Sequence, residues 1–425
     1  SVTDDFQGSS FKSTYRAYVS PTQPAGSYVG RVRYTMVHPS SAIPNQPMTT
    51  EAGKIGYYPN ANGFVVDTMG DQEYTGYTST VGNLVTPLTP GGEATLWASN
   101  FKRPGYGFVG WSDTYDYVAN VGSATNPNAK IYGPNETITT PSNLNEEGLS
   151  LYAVWVESAG TIQNWSCPNN TTMPIGTVTA LTDLRDNNTY AVAKLKDGKC
   201  WMIENLRLGG NNPITLTPND SDVYSNFTLN SSVEPILANW CITLDAICTN
   251  QSLLNADNSL NPVSITTTPD APILSYGNYY NWYSATAGTG TYSAATNNTQ
   301  VSSSVCPKGW KLPAGGKGAN VNTNDYRKMS VAVTGMEPGS NSEYNGDMGI
   351  KAISILRSYP NNFVFSGMIE VVPAEQRRSA TGHYWTSTVY SLERAAYLFD
   401  YNYVLVRPSN AADKFMGFTI RCLAN

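Results

Sequence analysis

All six cysteines of the chain, Cys167, Cys200, Cys241, Cys248, Cys306 and Cys422, fall after residue 160, and no two form a C-x-x-C pair. Their successive spacings of 33, 41, 7, 58 and 116 residues fit neither a zinc knuckle nor a redox motif. An even cysteine count without metal spacing is the mark of a disulfide framework made in an oxidising compartment. The competing reading is six reduced, buried thiols in a cytosolic protein. Six cysteines allow fifteen connectivities. The reading taken here clips Cys241 to Cys248 as a local loop, joins Cys167 to Cys200 across neighbouring strands, and ties Cys306 to Cys422. The last bond closes a loop of 116 residues, for which chain entropy alone supplies roughly 4.7 kcal/mol.

The rest of the composition narrows the function. Charged residues are 14% of the 425, where about 25% is ordinary, and their place is taken by Ser, Thr, Asn, Gly and 28 Tyr. Hydrophobic residues reach 40%, enough for real cores, so wholesale disorder is excluded. Net charge is −6 with no run of Lys or Arg, which argues against a nucleic-acid partner. Only two histidines, His38 and His383, are present, leaving little for His-rich metal sites or Ser-His and Cys-His nucleophiles. No apolar run is long enough to span a membrane as a helix, and Ser1 opens no signal-peptide pattern. Export therefore implies a targeting segment removed or lying outside this numbering.

Three blocks follow along the chain. Residues 1–49 hold two alternating stretches, Ser13–Val19 and Gly26–Val37, separated by Pro21, Pro24 and Gly26, as in a hairpin with a loose loop. Two strands rarely stand alone in water. This segment must complete a sheet supplied by the next block, by an upstream portion, or by another copy through strand donation. Residues 50–157 carry short aromatic and β-branched runs at Ile55–Tyr58, Ala94–Trp97, Tyr106–Trp111 and Leu149–Trp155, the pattern of a small β-rich domain. Gly105, Gly107 and Gly110 are expected to let aromatic strands turn tightly around Trp111. Trp111 and Trp155 are candidates for ligand contact, with core packing as the plainer role.

Residues 158–425 form the largest block. Asp183–Leu208 reads as a hairpin turning at Asp197-Gly198. Residues 209–275 are polar and proline-punctuated. A helix is expected over Asn324–Val333, capped by Thr323 or Asn324 and stopped at Gly335. A second, Gly349–Arg357, places Ile350, Ile353 and Leu356 at helical intervals and ends before Pro360. Strands follow at Tyr384–Thr388, Ala395–Phe399, Tyr403–Arg407 and Gly417–Cys422.

Two resemblances attach to these residues. Phe101–Ser112, Ile131–Ile138 and Leu151–Trp155, in that order, resemble the Listeria–Bacteroides repeat, a β-grasp-like unit of bacterial surface proteins such as internalins. Lys199–Arg207, Asn278–Tyr283, Cys306–Pro313, Tyr384–Thr388 and Gly417–Cys422 together resemble the Fibrobacter succinogenes major paralogous domain. That family implies a C-type-lectin-like fold, related to formylglycine-generating-enzyme-like domains and to variable ligand-binding proteins of diversity-generating retroelements. Over residues ~10–425 the chain resembles surface proteins of Saccharibacteria. The resemblance also supports pairing Cys306 with Cys422, which bracket the family's core. The fold class implied is mainly β with an α+β C-terminal domain: a hairpin or sandwich-like segment, a β-grasp-like repeat and a C-type-lectin-like domain.

Chemistry is sparse. A formylglycine-generating enzyme needs a reactive cysteine pair at its copper site, and three disulfides leave none, so no catalytic residue is assigned and no enzyme is expected. Glu-Pro-Asn and Trp-Asn-Asp, the Ca²⁺-binding tripeptides of sugar-binding C-type lectins, are missing from the sequence. Asn219–Asp222 and Asn255–Asn258 could hold Ca²⁺ through oxygen ligands but read first as turn formers. No metal ligand and no other cofactor is assigned. Glu375 and Glu393 carry no reason to meet as a glycosidase pair. Asn135, Asn164, Asn170 and Asn226 lie in Asn-x-Ser/Thr triplets. The resemblance puts the ligand patch in the loops of the last stretch, Phe363 to Met416. Its Tyr, Ser and Asn make a paratope-like vocabulary. Trp385, Tyr397 and Tyr403 are read as core, and Tyr390, Tyr401, Asn402 and Asn410 as exposed contacts.

The function expected is an extracellular bacterial surface protein without catalysis. In one form it is the subunit of a filament or layer, docking its N-terminal strands into other copies of itself. In the other it is a monomeric adhesin for a host or partner-cell surface protein or glycan. Non-reducing peptide mapping of native material is expected to recover all six cysteines in crosslinked pairs; six freely alkylated thiols would overturn the compartment and the framework together.

Overall fold

A computed structural model describes residues 49–60, 72–73, 88–99, 101–207, 274–277, 280–286, 299–301, 304–316, 323–339, 343–368, 381–401, 405–414 and 416–425. All lie in the second of two compact units, Ser40–Asn425. The expected hairpin of residues 13–37, the Cys241–Cys248 clip, the two Asn/Asp clusters, Tyr403 and Asn402 lie outside the described residues.

The architecture is mainly β, with mixed and antiparallel sheets and two longer helices. The earlier part contributes β1 (Lys54–Tyr58), β2 (Gln72–Glu73), β3 (Glu93–Thr95), β4 (Tyr106–Ser112), β5 (Ile131–Tyr132), β6 (Thr137–Thr139) and β7 (Leu149–Thr161). The later part adds β8 (Val178–Thr182), β9 (Thr189–Lys194), β10 (Cys200–Met202), α1 (Trp282–Ala285), β11 (Trp310–Lys311), α2 (Asp325–Thr334) and β12 (Tyr344–Asn345). It ends with α3 (Gly346–Arg357), β13 (Thr381–Val389), β14 (Arg394–Tyr401), β15 (Leu405–Asp413) and β16 (Leu423–Ala424). The largest sheet runs β11-β16-β10-β9-β8-β7-β1-β2, with β4 also on β7 and β5 on β4. A second sheet runs β12-β15-β14-β13, and β3 pairs with β6.

Strand β7 is the common member. Its start pairs in parallel with β1, its middle is antiparallel to β4, and Ser158 and Thr161 pair in parallel with β8. The strand runs through residue 157, where a change of domain was expected, and carries hydrogen bonding onward into the later part. Alternation then distributes side chains to two cores. From β9, Tyr190 and Val192 enter one cluster with Trp385 and Phe418, whereas Ala191 and Ala193 enter another with Tyr326, Ile353 and Tyr384. A third cluster around Trp111 serves the earlier strands. Strands β9 and β13 are buried at every position, on both faces, although their sequences include Thr189, Lys194, Thr386 and Thr388.

Local chemistry explains the helices and the main turn. Helix α2 begins where the Asn324 side chain accepts the Arg327 amide and ends at Gly335, whose φ is 68°. The hairpin β9–β10 reverses at Asp197-Gly198, where the Asp197 carboxylate accepts the Lys199 amide and the Trp201 indole N–H. Helix α3 starts one turn before its expected first residue, at Gly346. Ile350 is 48% exposed, while Gly349, Ala352, Ile353 and Leu356 are buried. The buried stripe thus follows i, i+3, i+4, i+7 from Gly349; Ile353 and Leu356 lie on it and Ile350 lies beside it.

Two disulfides close the later part, Cys167–Cys200 and Cys306–Cys422, both pairs taken in the sequence reading. Cys200 lies on β10, but Cys167 sits in the loop before β8 rather than on a neighbouring strand.

The two parts meet where β4 lies against β9. Gly107 allows this approach: a Cβ there would stand 2.6 Å from the Ala191 backbone nitrogen. Its role is close packing of strands, not the turn expected around Trp111; Gly110, by contrast, sits at a bulge in the β4–β7 ladder. Beside it the buried Glu204 carboxylate accepts the amides of Phe108 at 3.2 Å and Ala191 at 2.7 Å, and pairs with Arg207 at 2.9 Å. Replacing Gly107 by Val is expected to destabilise the fold by about 1–3 kcal/mol through overpacking, read as a lowered midpoint in urea unfolding with an unchanged slope.

Candidate functional site

The second sheet carries an aromatic ladder that rises from the core to the surface. Strand β14 alternates, so Tyr397, Phe399 and Tyr401 share one face. Ring centroids of Tyr397 and Phe399 are 6.0 Å apart, and Phe399 stacks on Tyr401 at 6.0 Å. His383 on β13 lies 5.5 Å from Tyr397 and 5.0 Å from Phe399, and Phe418 packs 4.8 Å from His383. At the inner end Trp385 stacks on Phe418 at 4.2 Å and donates its indole N–H to the Tyr280 carbonyl. Exposure climbs along the row: Trp385 0%, Tyr397 6%, Tyr401 40%. The inner rings are therefore scaffold, and Tyr401 is the contact the ladder offers to solvent.

Polar groups flank the rings. Asn410, half-buried on β15, donates to the Tyr397 hydroxyl at 2.8 Å. Arg407 stands opposite Phe399 and pairs with Glu343 at 2.9 Å. Tyr390 sits at the other end of the β13–β14 hairpin, where its amide bonds the Arg394 carbonyl. The eight residues of β14 separate it from Tyr401, roughly 23 Å at ~3.3 Å per residue. Of the four contact positions expected, Tyr401 is exposed at one end of the sheet, Asn410 is tied into the ladder, Tyr390 is remote, and Asn402 lies outside the described residues.

Other candidates are sorted by burial. Trp111 is fully buried, whereas Trp155 is half-buried and lines a cleft. Glu393 is exposed and Glu375 lies outside the described residues. Asn135 is buried, donating to Leu96 and accepting from Phe365, while Asn164 and Asn170 are exposed. No cluster of three or more His, Cys, Asp or Glu side chains is found among the described residues. Nor is any helix among them long and apolar enough to cross a membrane.

Behind the ladder, on the opposite face of β14, Asp400 is wholly buried, and neither carboxylate oxygen has a hydrogen-bond partner. Burial pushes its carboxyl up to about 7, with Arg357 opposing the shift. Arg421, also buried, donates to Asn205 Oδ1 and to the carbonyls of Asn361 and Asn362; burial holds its guanidinium below the ordinary value. The arrangement anchors a rigid sheet and leaves one aromatic edge open. His383, Phe399 and Phe418 were not singled out from sequence, although the every-other-residue aromatics of Tyr397, Phe399 and Tyr401 carry the signal for the row.

No family model, curated protein or solved structure matches the chain.

Because the folded-state value of Asp400 lies above its unfolded value, the protonated form stabilises the fold. That contribution is complete below about pH 4 and is lost as pH rises through about 7. Melting curves of the wild type and Asp400→Asn at pH 5 and pH 8 are expected to diverge, the variant gaining several degrees on the wild type at pH 8.

Proposed function

We propose that this chain is a non-catalytic, extracellular bacterial surface protein, and that it adheres to a protein or glycan on another cell through the open end of the ladder at Tyr401. The observation carrying this reading is the exposure gradient along one row of rings, held by a sheet buried on its other face. A rigid aromatic anchor of this kind binds at low conformational-entropy cost. The two disulfides favour an oxidising, extracellular setting. The resemblances to the Listeria–Bacteroides repeat and to the C-type-lectin-like Fibrobacter domain add a surface context. The polymeric form of the same reading, a filament or layer subunit, rests on the alternating stretches Ser13–Val19 and Gly26–Val37.

Tyr401→Ala removes the anchor without touching the core. Adhesion of the purified chain to cells is expected to fall at least tenfold in this variant, with its melting temperature unchanged. Adhesion equal to that of the wild type would refute the assignment of Tyr401. Negative-stain imaging of native material separates the two forms: dispersed particles fit the monomeric adhesin, regular polymers the structural subunit.

A further inference from the structure

A second concave site lies about the junction of the two parts, among residues distinct from the ladder. It is a cleft of about 190 Å³ whose lining includes Arg103, Tyr106, Trp155, Asp186, Asn187 and Arg207. The turn before β4 supplies Arg103 and the first residue of β4 is Tyr106, the middle of β7 supplies Trp155, and the β8–β9 turn supplies Asp186 and Asn187. We propose that this cleft binds a single sugar ring, with Trp155 against the ring's C–H face and Arg103, Asp186 and Asn187 around its hydroxyls.

Four observations carry the assignment. The volume is below the ~300 Å³ at which pockets for drug-sized ligands begin, so the occupant is small. Trp155 is half-buried and fixed by its indole N–H to the Pro59 carbonyl at 2.7 Å and by edge contact with Phe108 at 5.7 Å; it is a rigid apolar wall. The rim is mixed in sign and in hydrogen-bonding sense. Arg103, its guanidinium 3.6 Å over the Tyr106 ring, donates; Asp186 accepts; exposed Asn187 does both. Asp186 is itself held in place, accepting the Asn188 amide at 2.9 Å and its side-chain NH₂ at 2.7 Å. At the floor the Arg207 and Glu204 charges are paired at 2.9 Å, so the base favours neither an anion nor a cation. Hydroxyls both donate and accept, and a pyranose presents them around an apolar face, which is the complement of such a lining.

The test uses the full chain and saturation-transfer NMR with the methyl glycosides of glucose, galactose, mannose and N-acetylglucosamine, and with glucuronate. At least one is expected to bind, with transfer strongest at its ring C–H protons. Arg103→Ala and Asp186→Asn, both at the rim, are expected to weaken that binding at least tenfold, and Trp155→Ala to abolish it; Tyr401→Ala leaves it unchanged. Absence of binding by every probe overturns the proposal, as does binding that survives both rim variants. Binding lost in Tyr401→Ala and kept in the rim variants assigns the sugar to the ladder and overturns the cleft.

Discussion

The Glu204 carboxylate is where the earlier strands become part of the same fold as the later ones. One oxygen takes amides from β4 and from β9, and the other holds Arg207, which in turn donates to the Thr189 carbonyl at 2.7 Å. A buried carboxylate is tolerable only when its oxygens are filled and its charge is matched. Here both conditions are met by groups drawn from three stretches of chain. Removing the carboxylate itself would leave the Phe108 and Ala191 amides and the Arg207 guanidinium without this buried acceptor at once. The close approach at Gly107 exists beside this carboxylate and gives it two strands to join.

The same logic recurs through a chain with few charges. Asp183 and Arg185 pair at 2.7 Å with no exposure on either side chain, and Arg185 also donates to the Val305 carbonyl. Arg357 reaches across to Thr137 at 2.9 Å. Arg421 sits over the Phe363 ring at 4.5 Å with its guanidinium on an amide oxygen and two carbonyls. Such interior cations are costly to desolvate; Arg185 and Arg421 are kept in place by several directed bonds each, and Arg357 by its bond to Thr137 and by the Phe365 ring 4.4 Å away. They set the positions of long connections, including the Asn361-Asn362 corner, that apolar packing alone would leave undetermined. The ladder above Asp400 stands on this polar framework as much as on its own rings.

Legibility from sequence followed how local the determining physics was. Both caps of α2 and the Asp197-Gly198 reversal were readable because each is settled within a few residues. The aromatic strands β4, β13 and β14 were visible from their composition, and a disulfide framework from the even cysteine count; the pairs Cys167–Cys200 and Cys306–Cys422 were one choice among fifteen connectivities, the second supported by the resemblance. What could not be read was relation between distant segments. That β7 runs past residue 157 and pairs with β8, that Gly107 faces Ala191 rather than making a turn, and that Tyr390 and Tyr401 occupy opposite ends of one hairpin all depend on register across strands. The helical intervals of Ile350, Ile353 and Leu356 hold in α3, but a three-residue step falls short of a 3.6-residue turn, so Ile353 and Leu356 share the buried stripe and Ile350 lies beside it. Trp155 and Trp111 look alike in sequence, and only burial separates them.

The Cys306–Cys422 bond has a mechanical consequence for the later part of the chain. The chain between its two cysteines, 116 positions apart, would add roughly 400 Å of contour if drawn out at ~3.5 Å per residue. With the bond in place that length is withheld: a pull applied at Leu423 passes from Cys422 through the sulfur bridge to Cys306 and Val305, and β13, β14 and β15 lie inside the loop it bypasses. Every ring of the ladder, from His383 to Phe418, lies within that closed loop.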